Sequence, residues 1–476
     1  MNVALINANR IRPPIAPIGL DYVAEAVHAA GHEVALLDLC WAEETPAAIA
    51  AFFQAASYDL VGLSLRNTDD STYTSGESFV DPLAWLVQEV RRHTDARLVL
   101  GGVGFSVMPE LILAHLERTH NLALDGGIWG EGEFALVELL ARLEQGREWR
   151  DTPGLVSRCE DGTWRRIPAA FHALAELPAM TRRWVDNPRY FRWGGQAGIE
   201  TKRGCPGACT YCADPLSKGA RVRLRPPAAV ADELECLLAQ GIDHVHTCDA
   251  EFNLPAQHVL EVCAEMTRRG LGDRLRWYAY CTPVPFTREM ARAMADAGCV
   301  GINFGADHGD AEMLRRLGRA HQPEDVVSAT RFCHEAGMVV MLDLLLGAPG
   351  ESRASLRAAI ECARRAAPER VGISLGLRVY PGTPLDRLAA AAEGAPGMSG
   401  GPEPAVPRFY LEPAIADVCY SFLDELIDGD PRFLFLDPTK EEQNYSYNAH
   451  RRLTAAIAEG YRGAYWDILR RLGPGS

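Results

Sequence analysis

Residues 1–155 alternate short apolar runs with stretches of helical period. Val3–Asn7 reads as a strand, Leu20–Ala30 (LDYVAEAVHAA) has helical spacing and stops at Gly31, and Glu33–Leu37 is a second strand. Leu60–Leu65, Arg97–Leu100 and Leu122–Ile128 fit three more, with helices between. This alternation predicts a doubly wound, Rossmann-like parallel sheet, whose ligands bind beyond the carboxyl ends of the strands. Residues 156–198 are irregular and rich in Arg, Pro and Trp; they read as a linker, with Tyr190-Phe-Arg-Trp193 available to pack between domains. A second series, 199–392, places strands at Ile199–Lys202, His244–Cys248, Trp277–Cys281, Gly301–Gly305, Val339–Leu346 and Val371–Val379. Six βα units predict a partial (β/α)6 barrel of TIM type, with its chemistry at the strands' C-terminal ends. A Gly/Pro-rich stretch, 393–406, opens a small, mainly helical capping or substrate domain, 393–476, with a helix over Ile415–Ile427 and an aromatic segment ending Tyr465-Trp466-Asp467. The fold class is thus α/β in three parts.

Composition narrows the partners. The 476 residues are too many for one core, and 47% apolar content is ordinary for a globular chain. A net charge of −15 argues against nucleic acid. No apolar run is long enough to span a membrane, and the first residues read as a buried strand rather than a signal peptide. The expectation is a cytoplasmic protein. There, 13 cysteines do not form a disulfide framework, and a tight cluster of them points to metal.

That cluster is Cys205-Pro-Gly-Ala-Cys209-Thr-Tyr-Cys212. Thiolates are the usual protein ligands of iron–sulfur clusters. Three ligands for four irons leave one iron open to chelate an amine and a carboxylate. Gly204 and Gly207 let the loop wrap closely. A structural zinc site is the competing reading, but zinc wants four ligands in paired short spacings. Cys248 and Cys281 could supply the fourth, but each stands alone on a predicted strand end.

The motif, following a strand, resembles the radical S-adenosylmethionine (SAM) superfamily over residues 195–390. The resemblance implies a 4Fe–4S cluster on Cys205, Cys209 and Cys212. It also implies reductive cleavage of SAM to a 5′-deoxyadenosyl radical, with electrons from a donor such as flavodoxin or ferredoxin. Tyr211 matches the aromatic position before the third cysteine. In His246-Thr-Cys-Asp249-Ala-Glu251 the usual Gly-Gly-Glu is absent, so Asp249 or Glu251 is expected at the SAM amino group. Asp307 is expected at the ribose, with capping of the next helix as its alternative. Gly347, in Gly347-Ala-Pro-Gly350, is expected near adenine. Arg378 is expected at a SAM or substrate carboxylate, or in an ion pair.

Residues 1–150 resemble the cobalamin (B12)-binding domain of B12-dependent radical SAM enzymes. The matching strand ends carry Pro17 and Gly19; Leu65, Arg66 and Asn67; Gly101, Gly102, Gly104 and Ser106; and Gly130, Glu131 and Glu133. All are implied to contact the corrin, with the Gly101–Ser106 turn cradling the phosphate of its nucleotide tail. The Asp-x-His-x-x-Gly motif of B12 mutases is absent from 1–150, so no histidine is expected beneath cobalt. Arg66 is expected there instead, unless it pairs with Asp69 or Asp70. The tail, with Asn444-Tyr-Ser-Tyr447-Asn448 and Gly460–Asp467, resembles the branch containing a tryptophan C2-methylase. Such tails cap the barrel mouth, while plain packing of aromatics against the barrel is the alternative.

Together these resemblances imply a class B radical SAM C-methyltransferase. It would move a methyl from SAM through methylcobalamin to a carbon of a small natural-product substrate. Two other readings remain at this point. One is a B12 radical SAM enzyme that cyclises, contracts a ring or oxidises without methylation. The other is a cobalamin- or redox-sensing protein that does not turn SAM over. Neither a catalytic acid or base nor the oligomeric state is legible.

Overall fold

The computed structural model describes residues 1–390, 396–401, 403–435 and 450–473. In the N-terminal part, strands β1 (Asn2–Asn7), β2 (Glu33–Asp38), β3 (Leu60–Ser64), β4 (Arg97–Gly101) and β5 (Gly126–Ile128) pair in parallel. Their order is β2-β1-β3-β4-β5, which reverses direction between β1 and β3. A crevice opens at such a reversal, beyond the strands' carboxyl ends. Helices cover both faces because the strands are apolar on both sides. Ala4 and Ile6 join one core cluster, while Val3 and Leu5 join the other.

The segment 156–198 is more than a linker. β6 (Leu155–Arg158) and β7 (Trp164–Arg166) extend the same sheet antiparallel. These strands are short, and β7 carries arginines, so no apolar alternation marks them. The helix Asn187–Gly194 buries Tyr190, whose hydroxyl donates to Asp38 at 2.9 Å, whereas Trp193 stays exposed.

The second sheet is built from β8 (Ala197–Ile199), β11 (His244–Thr247), β12 (Arg276–Cys281), β13 (Cys299–Asp307), β14 (Val339–Leu346) and β15 (Arg370–Leu375), all parallel. A seventh strand from the C-terminal region, β19 (Phe433–Phe435), adds beside β15. Two expected strands end early. The first stops at Ile199, and Lys202–Arg203 (β9) turns away to pair antiparallel with Arg223–Leu224 (β10). The Asp249 carboxylate fixes that bend by accepting from the Thr201 amide at 2.9 Å and its hydroxyl at 2.6 Å. The last expected strand breaks at Gly376, which has φ of 81°, so that Leu377–Arg378 (β16) joins Met398–Ser399 (β17) and Phe409–Tyr410 (β18) in a small separate sheet.

Alternation divides the barrel strands. Val245, Trp277, Ala279, Ile302, Phe304, Val340 and Leu342 pack under the outer helices. His246, Tyr278, Tyr280, Asn303, Met341 and Asp343 therefore face inward.

Candidate active site between the two sheets

The carboxyl ends of both sheets face one another across a cavity of about 280 Å³. Its N-terminal wall comprises Pro17, Gly19, Arg66, Gly101, Gly102, Ser106, Gly130, Glu131 and Glu133, all expected from sequence. Its opposite wall comprises Glu200, Arg203, Ser217, Lys218 and Cys248. Buried ion pairs lock the walls together. Arg203 donates to Glu133 at 2.6 Å, and Arg223 pairs with Glu131. Tyr22, on the helix Ile18–Ala29, donates to Glu233 at 2.8 Å. Arg182 spans Asp21 and Glu233, each at 2.8 Å. Glu131 and Glu133 are thus both cavity wall and interdomain seam.

Leu65, Asn67 and Gly104 do not line the cavity; they shape it from behind. The Gly104 amide donates to the carbonyls of Leu65 at 3.0 Å and Arg66 at 2.9 Å. A Cβ at Gly104 would lie 2.7 Å from the Asn67 carbonyl carbon, and one at Gly102 would lie 2.5 Å from the Leu65 oxygen. The Ser106 amide is bound to Gly102, and its hydroxyl accepts from the Gly130 amide at 3.0 Å. The amides of Gly104 and Ser106 are therefore spent within the protein and are not free to hold a phosphate. The glycines serve close approach of loop to loop.

Arg66 has no hydrogen bond or ion pair among the described residues, and burial lowers its pKa from the ordinary guanidinium value. Asp69, its alternative partner, is taken by Arg378 at 2.8 Å, with the carboxylate fully buried. Of the two readings of Arg378, the ion pair is the one found, and it is buried and joins the two domains.

The cysteine loop follows β9. Cys205 is buried, while Cys209 and Cys212 are partly so. A Cβ at Gly207 would lie 3.3 Å from the Cys205 sulfur and 3.7 Å from that of Cys209, so the missing side chain leaves room between two ligands. Burial raises the Cys205 thiol and pushes that of Cys212 up to about 12, so metal binding here displaces protons. Cys281 is fully buried among the apolar side chains under the outer helices, and Cys248 lines the cavity between the sheets. This leaves the zinc reading without its fourth ligand and fits a cluster with three protein ligands.

Beside the loop stands Arg319, which no sequence signal marked. It contacts the Cys209 sulfur at 3.2 Å, Asp307 at 3.3 Å and Glu251 at 3.4 Å. Tyr211 donates its hydroxyl to Asp307. Asp310, and not Asp307, caps the next helix. Burial pushes Glu251 up to about 7. Asp249 is consumed by the Thr201 bend, which removes it as a candidate for the SAM amino group and leaves Glu251. Gly347 has φ of 94° and donates its amide to Glu351 at 3.1 Å. That carboxylate also meets His308.

The tail enters the barrel from the far side. Trp466 donates to Asn303 at 2.6 Å and packs with Tyr278, Met341 and Val339 near the strands' N-terminal ends. Asp467 accepts from Tyr278 at 2.8 Å. These residues of the tail floor the lumen, as in the alternative reading in which its aromatics pack against the barrel. The Asn444–Asn448 segment lies outside the described residues.

A cavity walled by glycines and one unpaired arginine, opposite a barrel carrying a three-cysteine loop, defines a corrin-plus-iron–sulfur enzyme. The family profile described as the Radical SAM superfamily matches residues 199–363, and that of the B12 binding domain matches residues 5–140. The tryptophan 2-C-methyltransferase of Streptomyces laurentii is 34% identical over 461 aligned positions, covering 84% of this chain and 76% of its own. A structure of the radical SAM methyltransferase TsrM from Kitasatospora setae, with tryptophan and a SAM analogue bound, superposes with a TM-score of 0.90. It is 32% identical, over 99% of this chain and 97% of its own. The cobalamin-dependent SAM radical enzyme OxsB shares the fold, with a TM-score of 0.74 at 18% identity over 99% of this chain and 74% of its own. This chain belongs to the cobalamin-dependent radical SAM methyltransferases. It is a C-methyltransferase of small molecules that uses a 4Fe–4S cluster, SAM and cobalamin. Among the described residues, no helix is long and apolar enough to cross a membrane.

Proposed function

We propose that this enzyme methylates a ring carbon of tryptophan or a closely related indole held in the barrel lumen. The observation that carries the reading is His246. Its Nδ1–H donates to the Thr247 carbonyl at 2.8 Å, which fixes the tautomer and leaves Nε2 as an acceptor. Nε2 has no partner among the described residues. Burial holds the ring at a pKa of about 4, so it is neutral at physiological pH. It lies 4.8 Å from the Tyr280 ring, with Tyr278 and Trp466 beyond. Such walls suit a flat heteroaromatic whose N–H needs an acceptor. The relative's tryptophan activity supports the same choice.

In this reading Cys205, Cys209 and Cys212 hold the cluster, which supplies an iron for SAM and an electron. Glu251, Asp307, Tyr211 and Gly347 border SAM. Pro17, Gly19, Gly101, Gly102 and Gly130 hold cobalamin, which supplies a transferable methyl group. Arg66 lines the cavity that would hold the corrin, and its guanidinium would offer a metal there no lone pair. The ion-paired seam holds the two walls at fixed separation and excludes water. A flavodoxin- or ferredoxin-type donor supplies electrons. All the cysteines are unpaired, which supports a reducing, cytoplasmic setting.

The test is anaerobic turnover of the reconstituted enzyme with methyl-labelled SAM and either tryptophan or a non-indole aromatic amino acid. Label in the indole ring, found by mass spectrometry and NMR, is expected. Label only in a non-indole acceptor overturns the proposal.

A further inference from the structure

We infer that Asp81, His115 and His120 form a binding site for a divalent transition-metal ion, zinc by its ligand set, with Glu403 as a supporting group. The site lies outside the cavity between the sheets and plays no part in the reaction above. Asp81 stands in the first turn of the helix Val80–Arg91, and both histidines stand on the helix Pro109–His120. One ligand atom from each comes within 4.8 Å of the other two. Both imidazoles aim Nε2 at the same Asp81 oxygen, His115 at 2.8 Å and His120 at 2.9 Å.

The second nitrogen of His115 gives a metal site its supporting carboxylate. Its Nδ1 lies 3.4 Å from a carboxylate oxygen of Glu403 and 3.4 Å from the Thr119 hydroxyl. A neutral imidazole has one N–H, yet His115 faces carboxylates through both nitrogens while almost wholly buried. A neutral ring can give its one proton to Asp81 and accept from the Thr119 hydroxyl, whereas a cation at Nε2 turns the Nδ1–H towards Glu403. One divalent ion would satisfy both rings and the Asp81 oxygen at once. Nδ1–H then donates to Glu403, and the Nε2 lone pairs of both rings and the Asp81 oxygen ligate. Carboxylate–histidine–metal support of this kind is the usual setting of a ligating histidine. Two imidazoles and one carboxylate suit zinc, with a water as fourth ligand on the exposed Asp81 side. Small outward shifts of the side chains would open the three atoms to tetrahedral spacing.

Glu403 also gives the site a consequence. It belongs to the C-terminal region, and its neighbour Ala405 packs against the core of the N-terminal sheet. Metal at His115 strengthens the hold on Glu403 and so pins this segment to the N-terminal domain.

The experiment uses reconstituted holoenzyme, so that the cysteine loop is occupied by iron. After dialysis against a weak chelator, Zn²⁺ is added and affinity is measured by competition with a chromogenic chelator. Bound zinc, iron and cobalt are counted per chain by elemental analysis. One zinc per chain is expected in the wild type. Asp81→Asn and His120→Ala should lose it while keeping iron and cobalt, which shows that they have folded. Glu403→Gln should bind about 10- to 100-fold more weakly. Zinc retained equally by Asp81→Asn and His120→Ala, or no zinc in the wild type, overturns the proposal.

Discussion

The guanidinium of Arg319 lies 3.2 Å from the sulfur of Cys209, and that contact ties the cysteine loop to the buried Asp307 and the partly buried Glu251. Asp307 and Glu251 share this one cation. Removing it leaves the buried Asp307 without its ion-pair partner, which costs about 3–5 kcal/mol for a buried pair that loses one partner. Arg319→Met is therefore expected to lower the denaturant midpoint and to reduce iron per chain after reconstitution. Arg319→Lys should recover part of the stability, since it restores charge without the planar fork. Denaturant titration with iron analysis checks both.

Gly104 tests the shaping of the Arg66 loop. Its φ is not positive, so alanine brings no backbone strain there, and the whole effect is steric. The new Cβ would lie 2.7 to 2.9 Å from three backbone atoms of Asn67. Overpacking of this kind costs about 1–3 kcal/mol, and the relief available is movement of residues 65–67. Gly104→Ala should retain less cobalamin on gel filtration with iron content unchanged. Equal cobalamin retention would contradict the packing argument.

Arg66 should show opposite effects on stability and activity. Its charge is desolvated without an ion-pair partner among the described residues. Methionine of similar length removes that penalty, so the cobalamin-free Arg66→Met chain should be more stable, by about 1–4 kcal/mol on the scale of buried charges replaced by apolar groups. Methyl transfer should fall, with a changed absorption spectrum of bound cobalamin. Equilibrium unfolding and anaerobic spectroscopy measure the two sides separately.

His246 sets a pH dependence. Its pKa is about 4 in the folded chain against an ordinary 6.5. The folded state resists protonation, so this contribution is fully present above pH 6.5. It is lost as pH falls from 6.5 towards 4, by about 3 kcal/mol in all. His246→Asn should flatten the stability profile between about pH 6.5 and 4 and leave it unchanged at about pH 8. A wild-type slope identical to that of the variant would refute the assignment.

Several site features were legible because they are local. Three cysteines in eight residues need no tertiary context to suggest a cluster. The glycines at 101, 102 and 130 follow apolar strand runs and fall on the cavity wall as expected. Polar residues fared less well, because a carboxylate at a strand end has several uses. Asp249 and Glu251 are two residues apart, yet one fixes a backbone bend and the other faces Arg319. Arg319 itself follows a short helix in an unremarkable polar stretch, so nothing in its neighbours announces a role.

The sequence by itself determined the class of protein. Two series of apolar runs at βα spacing dictate two parallel sheets, and the cysteine triplet dictates metal, since both signals lie within short windows of chain. Tertiary structure decided everything that depends on contacts between distant residues. Arg378 found Asp69, 309 positions away, and became an anchor between domains. Trp466 reached Asn303 from below and floored the lumen, which decided between capping the mouth and packing against the barrel for this part of the tail. Asp81, His115 and His120 converge only because two helices pack side by side. The partner of a buried charge is set by which surfaces close on it, and that is a property of the folded chain as a whole.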